Sequence, residues 1–207
     1  QACLNRSLLP CQDSPAARMT WRAAIMCAAP LVAVASGAML APTAVEGDAP
    51  VGVPVDAAVW ARIGAPADID PRDFRAFTYG LVDVTVPPYL IAFVVGDVRC
   101  ARIGPRSRVW AEVPDLAAAT WEFGHDDVTE RYVATDERLF GPYLWGDYDV
   151  VVMGRSFAFG GMENPLRTFA NPALLCGDQV RARASTTRHV GASAIAAARR
   201  VRPAVAD

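Results

Sequence analysis

The stretch Ser156-Phe-Ala-Phe-Gly-Gly-Met-Glu-Asn-Pro165 carries the clearest chemical possibility in this chain. Two adjacent glycines, Gly160 and Gly161, let a backbone come close to a ligand or form an exposed edge. Glu163, a single carboxylate beside such an edge, can hold a cation such as an ammonium group. The same residues also suit a β-bulge or a hairpin turn with an exposed glutamate. Composition alone favours that plainer reading.

Other chemistries find less support. A catalytic zinc needs three converging protein ligands, mostly His and carboxylate, and a helical HExxH places two of them beside a general base. This chain has two histidines, His125 and His189, far apart and without a second His at helical spacing. His125, in Gly-His-Asp-Asp, reads as an exposed loop or helix-end residue. There is no GxSxG, and no cysteine has an activating neighbourhood. Gly160-Gly161 lacks the third glycine and the Lys-Ser/Thr of a phosphate loop. Basic patches interleaved with aromatics are absent, so no nucleic-acid partner is expected.

The elements that would position Glu163 come from a chain of 207 residues, 53% apolar and 20% charged, with net charge −2. That balance excludes a disordered tail protein and a strongly basic binder, and the length suits one core or parts of two. All 20 basic residues are Arg, and with 38 Ala this looks like codon bias in a GC-rich genome. The chain opens on Gln1, which suggests processing or a piece of something longer. Cys3, Cys11, Cys27, Cys100 and Cys176 are odd in number and far apart. They read as reduced, mostly buried cysteines of a cytoplasmic protein. Ala23 to Val45 is uncharged, but Pro30 and Pro42 interrupt it and Ala dominates it. Strands joined by turns near Pro30 and Gly37 are expected there, not a membrane span.

Residues 1 to about 100 read as β. Strands are predicted over Met19–Cys27 and Phe74–Val86, with a Pro/Gly-rich loop over Ala41–Pro54. Tyr89–Val95 (YLIAFVV), an apolar run after Pro87-Pro88, predicts a strand buried on both faces. Gly104-Pro105 marks a turn and a domain boundary. Pro114–Leu139 has acids early, Arg late, and helical spacing at Leu116, Ala119, Phe123 and Val128, so one or two helices are predicted. Tyr148–Met153 predicts a strand, and Thr168–Leu175 another, interrupted by Pro172. Residues 179–207 hold six Arg, nine Ala and one acid. They read as a solvated, disordered tail with a frayed helix over Ser193–Val201.

Gly160-Gly161-Met162-Glu163-Asn164 resembles the exopeptidase motif of the aminopeptidase N-like zinc metallopeptidases. Its flanks resemble the leukotriene A hydrolase/aminopeptidase branch. They are Gly141-Pro-Tyr-Leu-Trp-Gly-Asp-Tyr-Asp149 and Pro165-Leu-Arg-Thr-Phe-Ala-Asn-Pro-Ala-Leu-Leu-Cys-Gly-Asp178. Leu9-Pro-Cys-Gln-Asp-Ser-Pro15, Pro88-Tyr-Leu-Ile-Ala-Phe-Val-Val-Gly96 and Ile103-Gly-Pro-Arg106 match in the same order. The likeness is collinear from Gln1 to Asp178.

The resemblance implies an α+β fragment. Residues 1–104 would be the carboxy-terminal part of an all-β domain, and 105–178 the start of a thermolysin-like α/β catalytic domain. It implies hydrolysis of peptides from their free amino terminus, with lipid-epoxide hydrolysis as an added activity of the branch, and zinc in the complete enzyme. It assigns Glu163 to the substrate's α-amino group. Gly160, Gly161, Met162 and Asn164 would line the peptide, and Gln1-Ala2 matches a substrate-contacting Gln-Ala step. Phe159 stands where Tyr is usual, and Met153-Gly154-Arg155 replaces a Pro-rich approach.

The family's HExxH helix and later glutamate ligand have no counterpart after Asp178, where residues 179–207 look like out-of-frame or intron-derived sequence. The chain alone is therefore expected to bind no zinc and to be inactive. A non-catalytic short form that binds peptides or a partner stays open beside this reading.

Overall fold

The computed structural model describes residues 5–41, 45–46 and 49–177. The expected tail helix over 193–201, the whole tail, Cys3, Gln1 and Ala2 lie outside them.

The amino-terminal part is built on two long antiparallel strands, β1 (Met19–Ala28) and β7 (Phe74–Val86). Period-two alternation sends Trp21, Ala23, Ile25 and Cys27 to one face, opposite Leu81, Tyr79, Phe77 and Arg75. The turn at Ala29–Pro30 leads into β2 (Val32–Ala35), and Gly37 turns the chain into β3 (Ala38–Met39), which pairs with β7. The predicted loop 41–54 holds only two-residue pairings, β4 (Val45–Glu46) with β5 (Ala49–Pro50), and β6 (Val53–Pro54) with β7. A short helix, α1 (Ala57–Arg62), is capped by Asp56. No described helix is long and apolar enough to cross a membrane.

The run Tyr89–Val95 departs from expectation. Pro88–Leu90 form a 3-10 turn, and only β8 (Phe93–Gly96) is extended, pairing with β2 in a two-stranded ribbon. Phe93 is 42% and Val95 38% exposed. Pro87 and Pro88 fix φ and supply no N–H, so the ladder starts only beyond Ile91. The Ser36 hydroxyl donates to Leu90 O at 2.8 Å and accepts from Ala92 N at 3.0 Å, holding the turn.

The second part is a five-stranded mixed sheet. It contains β9 (Val98–Arg102), β10 (Ser107–Glu112), β11 (Tyr148–Val152), β12 (Gly161–Asn164) and β13 (Arg167–Ala170). Its order is β12-β13-β11-β10-β9. The three central strands are parallel and the two edges antiparallel. By pairing, β9 belongs to this sheet although it precedes the turn at Gly104-Pro105.

Two helices, α2 (Val113–Gly124) and α3 (Val128–Phe140), connect β10 to β11. Pro114 lies in the first turn of α2, and Asp126 and Asp127 at φ 52° break the run between the helices. Ala119, Phe123 and Val133 cover one face of the sheet, against Val109, Ala111, Tyr148, Val150 and Val152. Trp110, Val151 and Phe169 point to the other face and meet Val34 of the ribbon. The run at β11 is thus buried on both sides, as a central parallel strand is. The second apolar segment ends early: β13 stops at Ala170, and Pro172–Leu174 form a 3-10 turn.

Among the described residues, Cys11, Cys27, Cys100 and Cys176 form no disulfide, and only Cys27 is buried. The expectation of mostly buried cysteines fails because three of the four lie at loops or near sheet edges.

Candidate functional site: an edge strand carrying Glu163

Strand β12 lies at the edge of the five-stranded sheet, and among the described strands it pairs with β13 alone. Glu163 stands opposite Thr168, Met162 opposite Phe169, and Asn164 opposite Arg167. Asn171 N donates to Gly160 O at 3.0 Å, which makes that pair a hydrogen-bonded one. By antiparallel alternation, Met162 and Asn164 then bond to β13, while the main-chain groups of Gly161 and Glu163 point to the open side.

Side chains alternate as well. Thr168 is buried, and its hydroxyl lies 2.8 Å from that of Tyr148, whose ring is in the helix-side core. Glu163, across from Thr168, shares that face and is half-buried. Met162 packs on the core of the amino-terminal part. Asn164 is buried on the same side as Met162, with Nδ2 3.3 Å from Met162 O. Of the expected site residues, Gly161 and Glu163 therefore turn their main-chain groups to the open side, while Gly160 pairs with Asn171 and Met162 and Asn164 present side chains to the interior. Among the described residues, nothing beyond its chain neighbours lies within 4 Å of where a Cβ on Gly160 would sit, so their packing does not require glycine there.

The approach to this edge is held by one side chain. Asn171 Nδ2 donates to Phe157 O at 2.8 Å and to Phe159 O at 3.0 Å, and its Oδ1 caps Ala173 N at 2.9 Å. Phe159 is left 65% exposed, edge-to-face with Phe157 at 5.7 Å.

The far end of the hairpin is docked in the amino-terminal part. Leu166 sits in that core, and Pro165 O accepts from Gly37 N at 3.2 Å. Arg167, 4% exposed, donates through Nη1 to Ala35 O at 2.8 Å and also to Gly37 O. Its guanidinium carbon lies 5.3 Å from the centre of the Tyr79 ring, and its Nε is 3.4 Å from Asp149 Oδ2. Burial pushes the Tyr79 phenol up to about 12. Asp149, 1% exposed, also accepts from Arg108 Nε at 3.2 Å and Trp110 Nε1 at 3.1 Å.

A second charge cluster ties α3 to the start of β10. Arg106 donates to both oxygens of Glu137 at 3.0 and 2.9 Å and to Glu130 at 3.2 Å. The Arg106 guanidinium, followed by the Tyr143 N–H, holds the Glu137 carboxyl down at about 2.

Sequence reading missed Asp149, Arg167, Arg108 and Asn171 as organising residues. The available signal was an acid inside the apolar run Tyr148–Met153, and an arginine beside Thr-Phe-Ala at the start of another strand.

His125 caps the end of α2, stacked on Trp121 at 5.3 Å with its Nε2 3.3 Å from Asp126. Among the described residues no three of His, Cys, Asp and Glu converge to hold a metal ion. The described residues therefore do not fit a zinc centre.

No family model matches the chain. Aminopeptidase B of Rattus norvegicus is 42% identical over 179 residues, 86% of this chain and 23% of that protein. Leukotriene A-4 hydrolase of Xenopus laevis is 33% identical over 189 residues, 91% of this chain and 26% of that one. The solved structure of native yeast LTA4 hydrolase superposes with TM-score 0.65 at 32% identity, over 87% of this chain and 23% of that one. An M1 zinc metallopeptidase from Deinococcus radiodurans, at 18% identity and TM-score 0.54, shares the fold over 81% of this chain.

The solved neighbours share this β-rich part and mixed sheet, and the chain's relatives are M1 zinc metallopeptidases, the family it matches. Within it, the chain falls on the branch of aminopeptidase B and leukotriene A-4 hydrolase. It spans 23% of the length of the aminopeptidase B it matches.

Proposed function

We propose that this chain supplies the amino-end recognition edge of a zinc aminopeptidase that removes residues from peptide amino termini. Glu163 holds the substrate's α-ammonium, and the outward main-chain groups of Gly161 and Glu163 pair with the peptide backbone. The observation that carries this reading is the placement of half-buried Glu163 on an edge strand whose open side receives the main-chain groups of Gly161 and Glu163. A charge-assisted hydrogen bond of this kind is worth about 1.5–3 kcal/mol. An acetylated amino terminus forfeits it.

We also propose the division into an amino-terminal β-domain over 1–104, with β9 reaching across into the next sheet, and the start of a thermolysin-like catalytic domain over 105–178. The chain by itself performs no turnover on this reading. The support is that its described residues bring no metal ligands together and that its sequence contains no HExxH.

The test is an NMR titration of the chain with a short peptide bearing a free amino terminus and with its N-acetyl counterpart. The Gly160, Gly161 and Glu163 amides are expected to shift with the first at concentrations about tenfold lower than with the second. Glu163→Gln keeps the shape, removes the charge and is expected to abolish that preference. Equal binding by the Gln variant overturns the assignment.

A further inference from the structure

The hairpin that carries Glu163 is held in place from outside its own sheet. Its two strands are joined by Pro165 and Leu166 alone, and Leu166 adopts φ 65°, a conformation that costs a non-glycine residue energy. Such a turn persists only where its surroundings over-determine it. Here the surroundings are the loop between β2 and β3. Leu166 is buried in the amino-terminal core, Gly37 N donates to Pro165 O, and Arg167 bonds the carbonyls of Ala35 and Gly37. Arg167 is also directly opposite Asn164, the neighbour of Glu163. Asp149 holds the Arg167 Nε side, while keeping Arg108 and Trp110 as partners of its own. A slip of one residue in a strand sends every side chain to the opposite face. In β12 that slip would move Glu163 from the open helix-side face into the interior.

We infer that Arg167 is a positioning residue for the amine-binding edge: it locks the register of β12 by fastening the hairpin tip to the amino-terminal part, so that part helps build the substrate site. This rests on the amine-anchor reading given above. Arg167 touches no substrate in this account; it acts through the hairpin.

The experiment uses the full chain and the same pair of probes, a free-amino peptide and its N-acetyl form. Arg167→Met removes charge and donors at similar length and leaves Asp149 with two partners. It is expected to reduce the roughly tenfold preference for the free amino terminus to within about twofold of none. Arg167→Lys, which keeps the charge and can reach one of the two carbonyls, should recover part of it. Val133→Ala, which opens a cavity under α3, should lower the unfolding midpoint while leaving the preference whole, so that loss of stability alone is separated from loss of register.

If the unaltered chain shows no preference, the amine-anchor reading falls, and this inference with it. If the unaltered chain discriminates and folded Arg167→Met discriminates equally, the positioning role is overturned and the anchor stands. Should Arg167→Met fail to fold, Arg167→Lys decides: a folded Lys variant with full preference overturns the role, and one with reduced preference supports it.

Discussion

The two faces of the five-stranded sheet solve the same problem with opposite electrostatics. On the helix side, Arg106, Glu130 and Glu137 sit at the rim, each side chain partly in water. On the amino-terminal side, Asp149 and Arg167 are almost wholly excluded from water. The rim cluster carries little desolvation cost, since its members stay hydrated while the two carboxylates accept from three guanidinium nitrogens, the Arg106 and Tyr143 N–H groups and the Ser107 hydroxyl. The inner cluster pays heavily in desolvation and returns a single allowed geometry. Rim charges therefore tune stability with pH and salt, whereas the inner charges fix where one part of the chain lies on the other.

The largest expected effect comes from breaking the inner cluster. Asp149→Ala leaves Arg108, Arg167 and the Trp110 N–H facing a void, and should cost about 3–5 kcal/mol, read from urea unfolding. A loss under about 1 kcal/mol would mean that the inner pair is no more valuable than a rim pair.

A second perturbation strikes the acceptor side of Arg167. Gly37 has φ 107°, and a Cβ there would lie 2.8 Å from the Trp21 ring and 2.9 Å from Gly80 O. Gly37→Ala should therefore cost about 1–3 kcal/mol, combining backbone strain with overpacking. An unchanged unfolding midpoint would show that the β2–β3 loop moves freely and cannot serve as an anchor.

The smallest effect belongs to the rim and sharpens the contrast through pH. The Glu137 carboxyl is lowered from 4.5 to about 2 in the folded chain. A lowered folded value contributes stability above the unfolded value and loses it as pH falls through the folded one. That contribution should fade between about pH 4.5 and 2. Solvent screening limits it to about 1 kcal/mol. Glu137→Gln should flatten the stability profile in that window and make it less sensitive to salt. An identical acid slope in both chains would assign the effect elsewhere.

Much of this arrangement is visible in the residues themselves. The long strands β1 and β7 announce themselves by alternation, and the break between α2 and α3 by Gly-His-Asp-Asp. Tyr148–Met153 and Tyr89–Val95 look alike as apolar runs, yet only the first is a strand buried on both faces. Apolar content records burial but not which neighbours provide it; two parallel partners flank β11, while β8 has one antiparallel partner and an exposed face. The role proposed for Glu163 comes from its motif alone. Arg167 and Asp149 were not, because their meaning lies in partners up to 132 positions away, at Ala35.

Asn171 has a consequence for how a peptide would be received. By fastening Phe157 and Phe159 and pairing with Gly160, it orders the approach to β12 before any ligand arrives. Fixing one residue's backbone costs about 1–2 kcal/mol of conformational entropy. For the segment 157–160 that cost is met once, during folding. On the proposed reading, an incoming strand would meet a finished template and surrender only its own freedom, so the edge would select extended peptides rather than mould itself around them.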